Sequence, residues 1–214
     1  VKLPWKIATI ETKLKWDFNI ENILASIWVF MAFGISWDDI IEVIKKIDGV
    51  PGRMELVKND LNADIIVDYA HTPDALEKVL TTLQAIWYKK IVTVFWATWD
   101  RDKTKRPIMW EIVAKYSDIV ILTQDDDYSE NSENIIKDVL PWINRVEWDN
   151  FFIIPTRKEA IELGISSIEE WDVLLVAGKW DEHVMVTNAW AIEWHDKTVI
   201  KEILKNIDDN KIIV

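Results

Sequence analysis

The stretch DIIVDYAHTPDALEKVLTTLQAI, residues 64–86, contains a change of period that decides the fold. Asp64–Val67 is a short apolar, β-branched run, the pattern of a strand covered on both faces. From Pro73 to Ile86 the apolar residues recur at helical spacing, and Pro73 is well suited to a first helical turn. Between them stand Asp68, Tyr69, His71 and Thr72. A buried strand that feeds an amphipathic helix through a short polar loop is half of a βαβ unit.

The alternation repeats downstream. Strand-like runs at Ile91–Phe95, Asp118–Leu122, Phe151–Ile154 and Val173–Ala177 alternate with helical patterns at Pro107–Lys115, Asn134–Ile143 and Lys158–Leu163. The pattern predicts an α/β, Rossmann-like domain with a mostly parallel sheet and helices on both faces. The tail adds a hairpin over Val184–Ile192 and a helix over Lys197–Asn206. Upstream, helices are expected over Asn19–Phe33 and Asp38–Ile47, and the turn pair Pro51-Gly52 marks a domain boundary. There is no internal repeat and no low-complexity segment.

Composition narrows the function classes. The 214 residues (25.1 kDa) suffice for one domain and part of another. Half are apolar and the formal charge is −12, so a packed core is expected and a nucleic-acid surface is not. No apolar run approaches the roughly 18 residues a membrane helix needs, and no charged-then-apolar leader opens the chain, so a soluble protein is expected. The absence of cysteine removes disulfides and thiol chemistry and fits the cytoplasm. One ratio is abnormal: average usage would give roughly 15 glycines, and the chain has 5, against 14 tryptophans.

In open parallel sheets ligands bind beyond the carboxyl ends of the strands. Four polar motifs fall there: DYAHTPD, WDRDKTKRP, TQDDDYSE and AGKWDE. Asp68 suits a ribose hydroxyl, and the rings of Tyr69 or His71 suit a base; a plain helix cap by Thr72 fits the same segment. Arg101, Lys103, Lys105 and Arg106 gather cations suited to an anionic ligand, or form a solvated loop with internal ion pairs. Asp125, Asp126 and Asp127 suit an ammonium or a hard metal, or favour the start of a helix. Gly178 lets backbone approach a ligand, and Glu182 could accept an amine. His183 and His195 lack ligand spacing, which argues against a histidine metal site. No G-x-x-x-x-G-K-[ST] phosphate loop occurs.

Taken in order, VPGRMELV, VDYAHTPDALEKVLTTL, VFWATWDRDKTKRPIM, SDIVILTQDDDYSE, RKEAI and VLLVAGKWDEH resemble the C-terminal part of Mur ligases of the tripeptide-synthetase type. These are the UDP-N-acetylmuramoyl-L-alanyl-D-glutamate amino-acid ligases of peptidoglycan synthesis. The resemblance implies that residues 1–50 end a central ATP-binding domain and residues 51–214 form the C-terminal domain. The P-loop and UDP-sugar domain would lie outside the chain, leaving it inactive alone. It implies ATP and magnesium as cofactors, with the ion ligands mainly elsewhere. UDP-MurNAc-dipeptide and a diamino acid are the implied substrates, with no nucleic-acid or membrane partner. Carried over by position, Asn22, Arg53, Asp68, Tyr69 and His71 resemble nucleotide contacts. Arg101, Asp125, Asp126, Gly178 and Glu182 fall at amino-acid contacts; no catalytic residue is assigned. Folylpolyglutamate and cyanophycin synthetases, or a non-catalytic derived module, are the alternatives.

Three departures stand out. Where members adding meso-diaminopimelate have DNPR, this chain has Asp126-Asp127-Tyr128 in place of the last three residues, which favours lysine or ornithine. The family histidine of AGKGHE is Asp181 here. Tryptophan stands where the family motif has glycine: Trp16, Trp96, Trp99, Trp110, Trp171 and Trp180, with Trp5, Trp142, Trp148 and Trp190 joining the set and Trp194 expected to be genuine. The pattern implies a stop codon reassigned to glycine and read as tryptophan.

Overall fold

The structure is a computed structural model that describes residues 2–3, 6–7, 9–96, 105–123, 149–179, 183–186 and 191–211. The chain forms two compact units, Val1–Val50 and Pro51–Val214.

The first unit has a small antiparallel pair, β1 (Lys2–Leu3) and β2 (Lys6–Ile7), and two helices, α1 (Phe18–Ala32) and α2 (Trp37–Lys46). The Ser36 hydroxyl caps α2 by accepting the Asp39 amide at 3.2 Å. Asp38 and Asp39 in its first turn, with Lys45 and Lys46 in its last, complement the helix dipole. Ile27 of α1 meets Ile40 and Ile44 of α2 in a small core. Both helices begin one residue earlier than their periodicity predicts.

The second unit is built on a six-stranded sheet. Its strands are β3 (Glu55–Val57), β4 (Asp64–Asp68), β5 (Ile91–Trp96), β6 (Ile119–Thr123), β7 (Phe151–Ile153) and β8 (Val173–Ala177), in spatial order β3-β4-β8-β5-β6-β7. All pairings are parallel except β3 with β4. The central strand β8 is wholly buried, with Val173, Leu174, Leu175, Val176 and Ala177 each 0% exposed, which explains its unbroken apolar reading.

Alternating side chains divide the sheet into two faces. Ile65, Val67, Val92, Val94, Leu174 and Val176 pack against α5 (Arg157–Ser166) and α6 (Asp196–Lys211). On the opposite face Phe95 meets Trp110 of α4 (Lys105–Tyr116) edge-on, with ring centroids 5.0 Å apart. Beside it α3 (Pro73–Gln84) buries Leu76, Leu80 and Leu83, one heptad-like stripe. The Thr72 hydroxyl caps α3 by accepting the Ala75 amide at 3.3 Å.

The expected α/β architecture is therefore present, with specific differences. Strand β3 was not foreseen, because three residues paired at a sheet edge carry no period of their own. Helix α4 starts at Lys105, so two of the four cations read as loop are helical, and Arg106 is fully buried. Helices α5 and α6 extend beyond the spans predicted for them. The tail hairpin is present as β9 (Val184–Val186) and β10 (Ala191–Glu193). The helix expected over 134–143 lies outside the described residues. Among the described residues, no helix is long and apolar enough to cross a membrane.

One buried ion pair ties the elements behind the strand ends. Arg157 Nε and Nη2 donate to Asp196 Oδ1 and Oδ2 at 2.8 and 2.6 Å, and both side chains are buried. Trp194 Nε1 donates to the same Oδ1 at 2.9 Å, and Arg157 Nη2 also reaches the Ala177 carbonyl at 3.3 Å. Removing one member leaves the other charge buried, at about 3–5 kcal/mol. Arg157→Ala should lower stability by that amount in urea denaturation, and the Arg157→Ala, Asp196→Ala double variant should lose less than the two single losses combined. A loss below about 1 kcal/mol in Arg157→Ala would contradict this account.

Candidate functional site

The strand order determines which loops share a rim. Strands β4, β8, β5 and β6 are consecutive and parallel, so their carboxyl ends lie along the same edge of the sheet. Beyond the last strand pair the connection continues: the Gly178 amide donates to the Asp68 carbonyl at 2.9 Å. This bond joins the loop after β4 to the loop after β8.

The turn leading into β3 packs against the same place. The Tyr69 amide donates to the Gly52 carbonyl at 2.9 Å, and the Gly52 amide donates to Glu55 Oε2 at 2.9 Å. Lys197 of α6 pairs with the other oxygen of Glu55. Asp68 fastens both segments: Oδ2 accepts the Met54 amide at 2.7 Å and Oδ1 the Ala70 amide at 2.8 Å. Asp68 is 5% exposed, and burial raises its pKa above the ordinary aspartate value despite the two amides and Arg53.

On this frame stand three side chains suited to a nucleotide. The Arg53 guanidinium lies over the Tyr69 ring, 5.2 Å from its centroid. The Tyr69 and His71 ring centroids are 4.2 Å apart and tilted by 51°. His71 Nδ1 is 2.9 Å from the Tyr69 carbonyl, a contact that suits the Nδ1–H tautomer as donor. Arg53 is exposed, and Tyr69 and His71 are half-buried. An exposed cation beside two aromatic faces matches the chemistry of phosphate next to a planar base.

Gly178 adopts φ +105°, in the left-handed region, where a side chain would be strained. A Cβ there would lie 2.0 Å from Nε1 of Trp96, the last residue of β5. The indole therefore fills the space against the Gly178 backbone.

The structure thus brings Arg53, Asp68, Tyr69, His71 and Gly178 together at one end of the sheet. Asn22 belongs to the first unit, on α1, where it helps line an apolar hollow with Ile23, Phe30 and Ile40 and donates to Asn19 Oδ1 at 3.2 Å. Arg101, Asp125, Asp126 and Glu182 lie outside the described residues, as do Asp127, Tyr128 and Asp181. Sequence reading missed the supporting roles of Met54, Glu55 and Lys197. It also gave no relation between His183 and His195, whose rings stack at 5.2 Å beside the β9–β10 hairpin. Among the described residues, no group of three or more histidines and carboxylates is placed to hold a metal.

A mostly parallel sheet with helices on both faces carries these residues at its strand ends, an α/β class of domain. Comparison with known proteins makes it specific. Residues 52–180 match the model of the Mur ligase glutamate ligase domain, and the chain belongs to the Mur ligase family. A UDP-N-acetylmuramoyl-L-alanyl-D-glutamate–2,6-diaminopimelate ligase of Clostridium acetobutylicum is 37% identical over 92% of this chain and 41% of its own length. One from Lawsonia intracellularis is 39% identical over 93% of this chain and 41% of its own length. A solved structure of such a ligase superposes with TM-score 0.70 at 29% identity, covering 93% of this chain and 40% of that one. UDP-N-acetylmuramate-alanine ligase MurC of Thermotoga maritima shares the fold, with TM-score 0.63 at 20% identity, over 94% of this chain and 40% of its own. The chain spans about two fifths of the length of these relatives.

Asp68 gives a pH-dependent test. Because its folded-state pKa is raised, its contribution to stability is fully present below the unfolded-state value and declines as pH rises through the folded-state value. Asp68→Asn turns one acceptor into a donor and leaves a buried amide unpaired, at about 1–3 kcal/mol. The deficit of Asp68→Asn relative to wild type should narrow as pH rises from the ordinary aspartate value through the raised folded-state value. Denaturation curves at several pH values that show a constant or widening deficit would overturn this reading.

Proposed function

We propose that the chain is the C-terminal portion of an ATP-dependent acid–amino-acid ligase of peptidoglycan synthesis, acting in the cytoplasm. In this reading residues 1–50 end the central ATP-binding domain and residues 51–214 are the C-terminal domain. The enzyme would add a diamino acid to UDP-N-acetylmuramoyl-L-alanyl-D-glutamate. The observation that carries the proposal is the cluster of Arg53, Tyr69 and His71 at the end of β4, joined through Asp68 to Gly178 in a chain of this family.

The residues divide the work by charge. Arg53 meets nucleotide phosphate, while Tyr69 and His71 flank the base. Asp68 holds their loop through two amides, and its remaining lone pairs suit a ribose hydroxyl. Asn22 enters as a nucleotide contact by family position. By family position, Arg101 pairs with the carboxylate of the incoming amino acid and Glu182 with its distal amine. Asp125, Asp126 and Gly178 enter as amino-acid contacts by the same family positions. Magnesium enters with the nucleotide, its ligands lying mainly in the part of the relatives' length that this chain does not span.

The reaction transfers the terminal phosphoryl group of ATP to the D-glutamyl carboxylate, giving an acyl phosphate and ADP. The free amine of the diamino acid then attacks the carbonyl carbon, phosphate leaves, and the amine proton passes to solvent. Positioning two bound reactants and stabilising developing charge supply most of the rate in such a step.

The distal end of the amino acid is the finer question. The relatives reported above are named for 2,6-diaminopimelate, whereas the acidic Asp125-Asp126-Asp127 run supports a cationic end, as in lysine or ornithine. In the full-length enzyme, ADP release dependent on UDP-MurNAc-dipeptide should be stimulated by one of these diamino acids, and lysine or ornithine should exceed meso-diaminopimelate. Meso-diaminopimelate as best substrate overturns the finer reading, and no diamino-acid-dependent turnover overturns the coarser one. Arg53→Ala should raise the KM for ATP by about 10- to 100-fold, the equivalent of a lost charge-assisted contact of about 1.5–3 kcal/mol, while the KM for the amino acid stays within about twofold.

A further inference from the structure

Five non-glycine residues among those described hold φ in the left-handed region: Trp16 (73°), Met54 (45°), Asn62 (56°), Trp87 (66°) and Trp171 (73°). Asparagine tolerates this region better than other side chains. Met54 is buried, and its amide is fixed by Asp68. The other three are tryptophans, whose bulky side chains make the conformation strained.

Burial does not offset that strain at two of them. Trp87 is 92% exposed and Trp171 63% exposed, so each indole stands in water. What the fold uses at these positions is main chain. The Trp171 amide donates to the Asn62 carbonyl and its carbonyl accepts the Lys89 amide, both at 3.0 Å, just before β8. Trp87 lies just past the end of α3, where a left-handed residue ends many helices. The Trp16 carbonyl accepts the Asn19 amide at 3.0 Å, at the entry to α1. All three are positions that a residue without a Cβ fills at no steric cost.

Trp96 fails in a different way. Its ring is pressed into the space that Gly178 leaves open, and its indole N–H is buried with no acceptor. Buried tryptophans ordinarily satisfy that group. Trp194 does so: it is buried and its N–H donates to Asp196. Trp110 also has a buried N–H without an acceptor, but it is helical and packed between Phe95 and Phe151, with centroids at 5.0 and 5.2 Å. The helical geometry and the packing keep it outside the inference.

We infer that the polypeptide made in the native cell carries glycine at positions 16, 87, 96 and 171, encoded there by a triplet which that cell reads as glycine and which is rendered as tryptophan here. Chemically, the consequence falls on the rim. With glycine at 96, the carboxyl ends of β5 and β8 face each other across an open cradle lined by main chain. Strain, exposure and an orphaned N–H are then removed together, and the scarcity of glycine beside 14 tryptophans is accounted for.

Peptide mass spectrometry of the protein isolated from its native cells tests this directly. Glycine at 16, 87, 96 and 171 with tryptophan at 194 is the expected result; tryptophan at any of the first four overturns it. A second measurement uses the 214-residue chain with tryptophan at all four positions. Trp87→Gly and Trp171→Gly should each raise Tm by about 2 °C, since relieved backbone strain exceeds the entropy that glycine adds to the unfolded chain. Trp194→Gly should lower Tm sharply. A fall in Tm for either of the first two variants would count against glycine as the native residue.

Discussion

The site depends on the parallel pairing of β4 with β8 at the centre of a sheet buried on both faces. Ile66 faces Leu175 and Asp68 faces Ala177 in that register. Every later step uses it. The Gly178 amide reaches the Asp68 carbonyl only because the strands end level with one another, and that bond couples the loop after β4 to the segment beyond β8. A shift of one residue would turn Ile65 and Val67 away from α5 and α6 and separate the two loops at once. Register here is specified by apolar burial, and the chemistry inherits it.

Asp68 shows how one buried polar residue can fix the geometry of a whole loop cluster. An exposed aspartate would be a free acceptor, whereas this one accepts one amide from its own loop, at Ala70, and one from the turn before β3, at Met54. It therefore sets where Arg53, Tyr69 and His71 stand before any ligand arrives. Pre-organisation of this kind reduces the ordering cost of binding. It also explains the left-handed Met54, whose backbone is held by the carboxylate it faces.

Much of the fold was legible in the sequence because the deciding strands are continuous apolar runs and the deciding helices carry a clean stripe. β8 and α3 are the clearest cases. β3 was not legible, since its extended form is imposed by pairing with β4 rather than by its own residues. The Arg157–Asp196 pair was hidden for another reason: 39 residues separate the partners, and only the arrival of α6 behind β8 brings them together. Within the site, Asp68, Tyr69 and His71 were readable as a strand-end loop. Their union with Arg53 needed the β3–β4 hairpin, for which no periodic signal exists. The early start of α4 was masked by Pro107, which fits within a first turn as well as at its opening.

The tryptophans bear on how a strand-end site of this kind works. Loops that approach a ligand through their main chain need residues with no side chain in the way, and Gly178 is one such residue. A neighbour that fills the vacated space cancels the benefit, as the Trp96 indole does on the adjacent strand end. The two positions must therefore be considered as a pair: the approach is open only when both lack a side chain. Trp87 and Trp171 repeat the argument away from the rim, where left-handed backbone rather than ligand approach sets the requirement. Two unrelated constraints, one steric and one conformational, thus select the same residue type at separate places in the fold, and the satisfied indole of Trp194 shows that the selection acts on position and not on tryptophan as such.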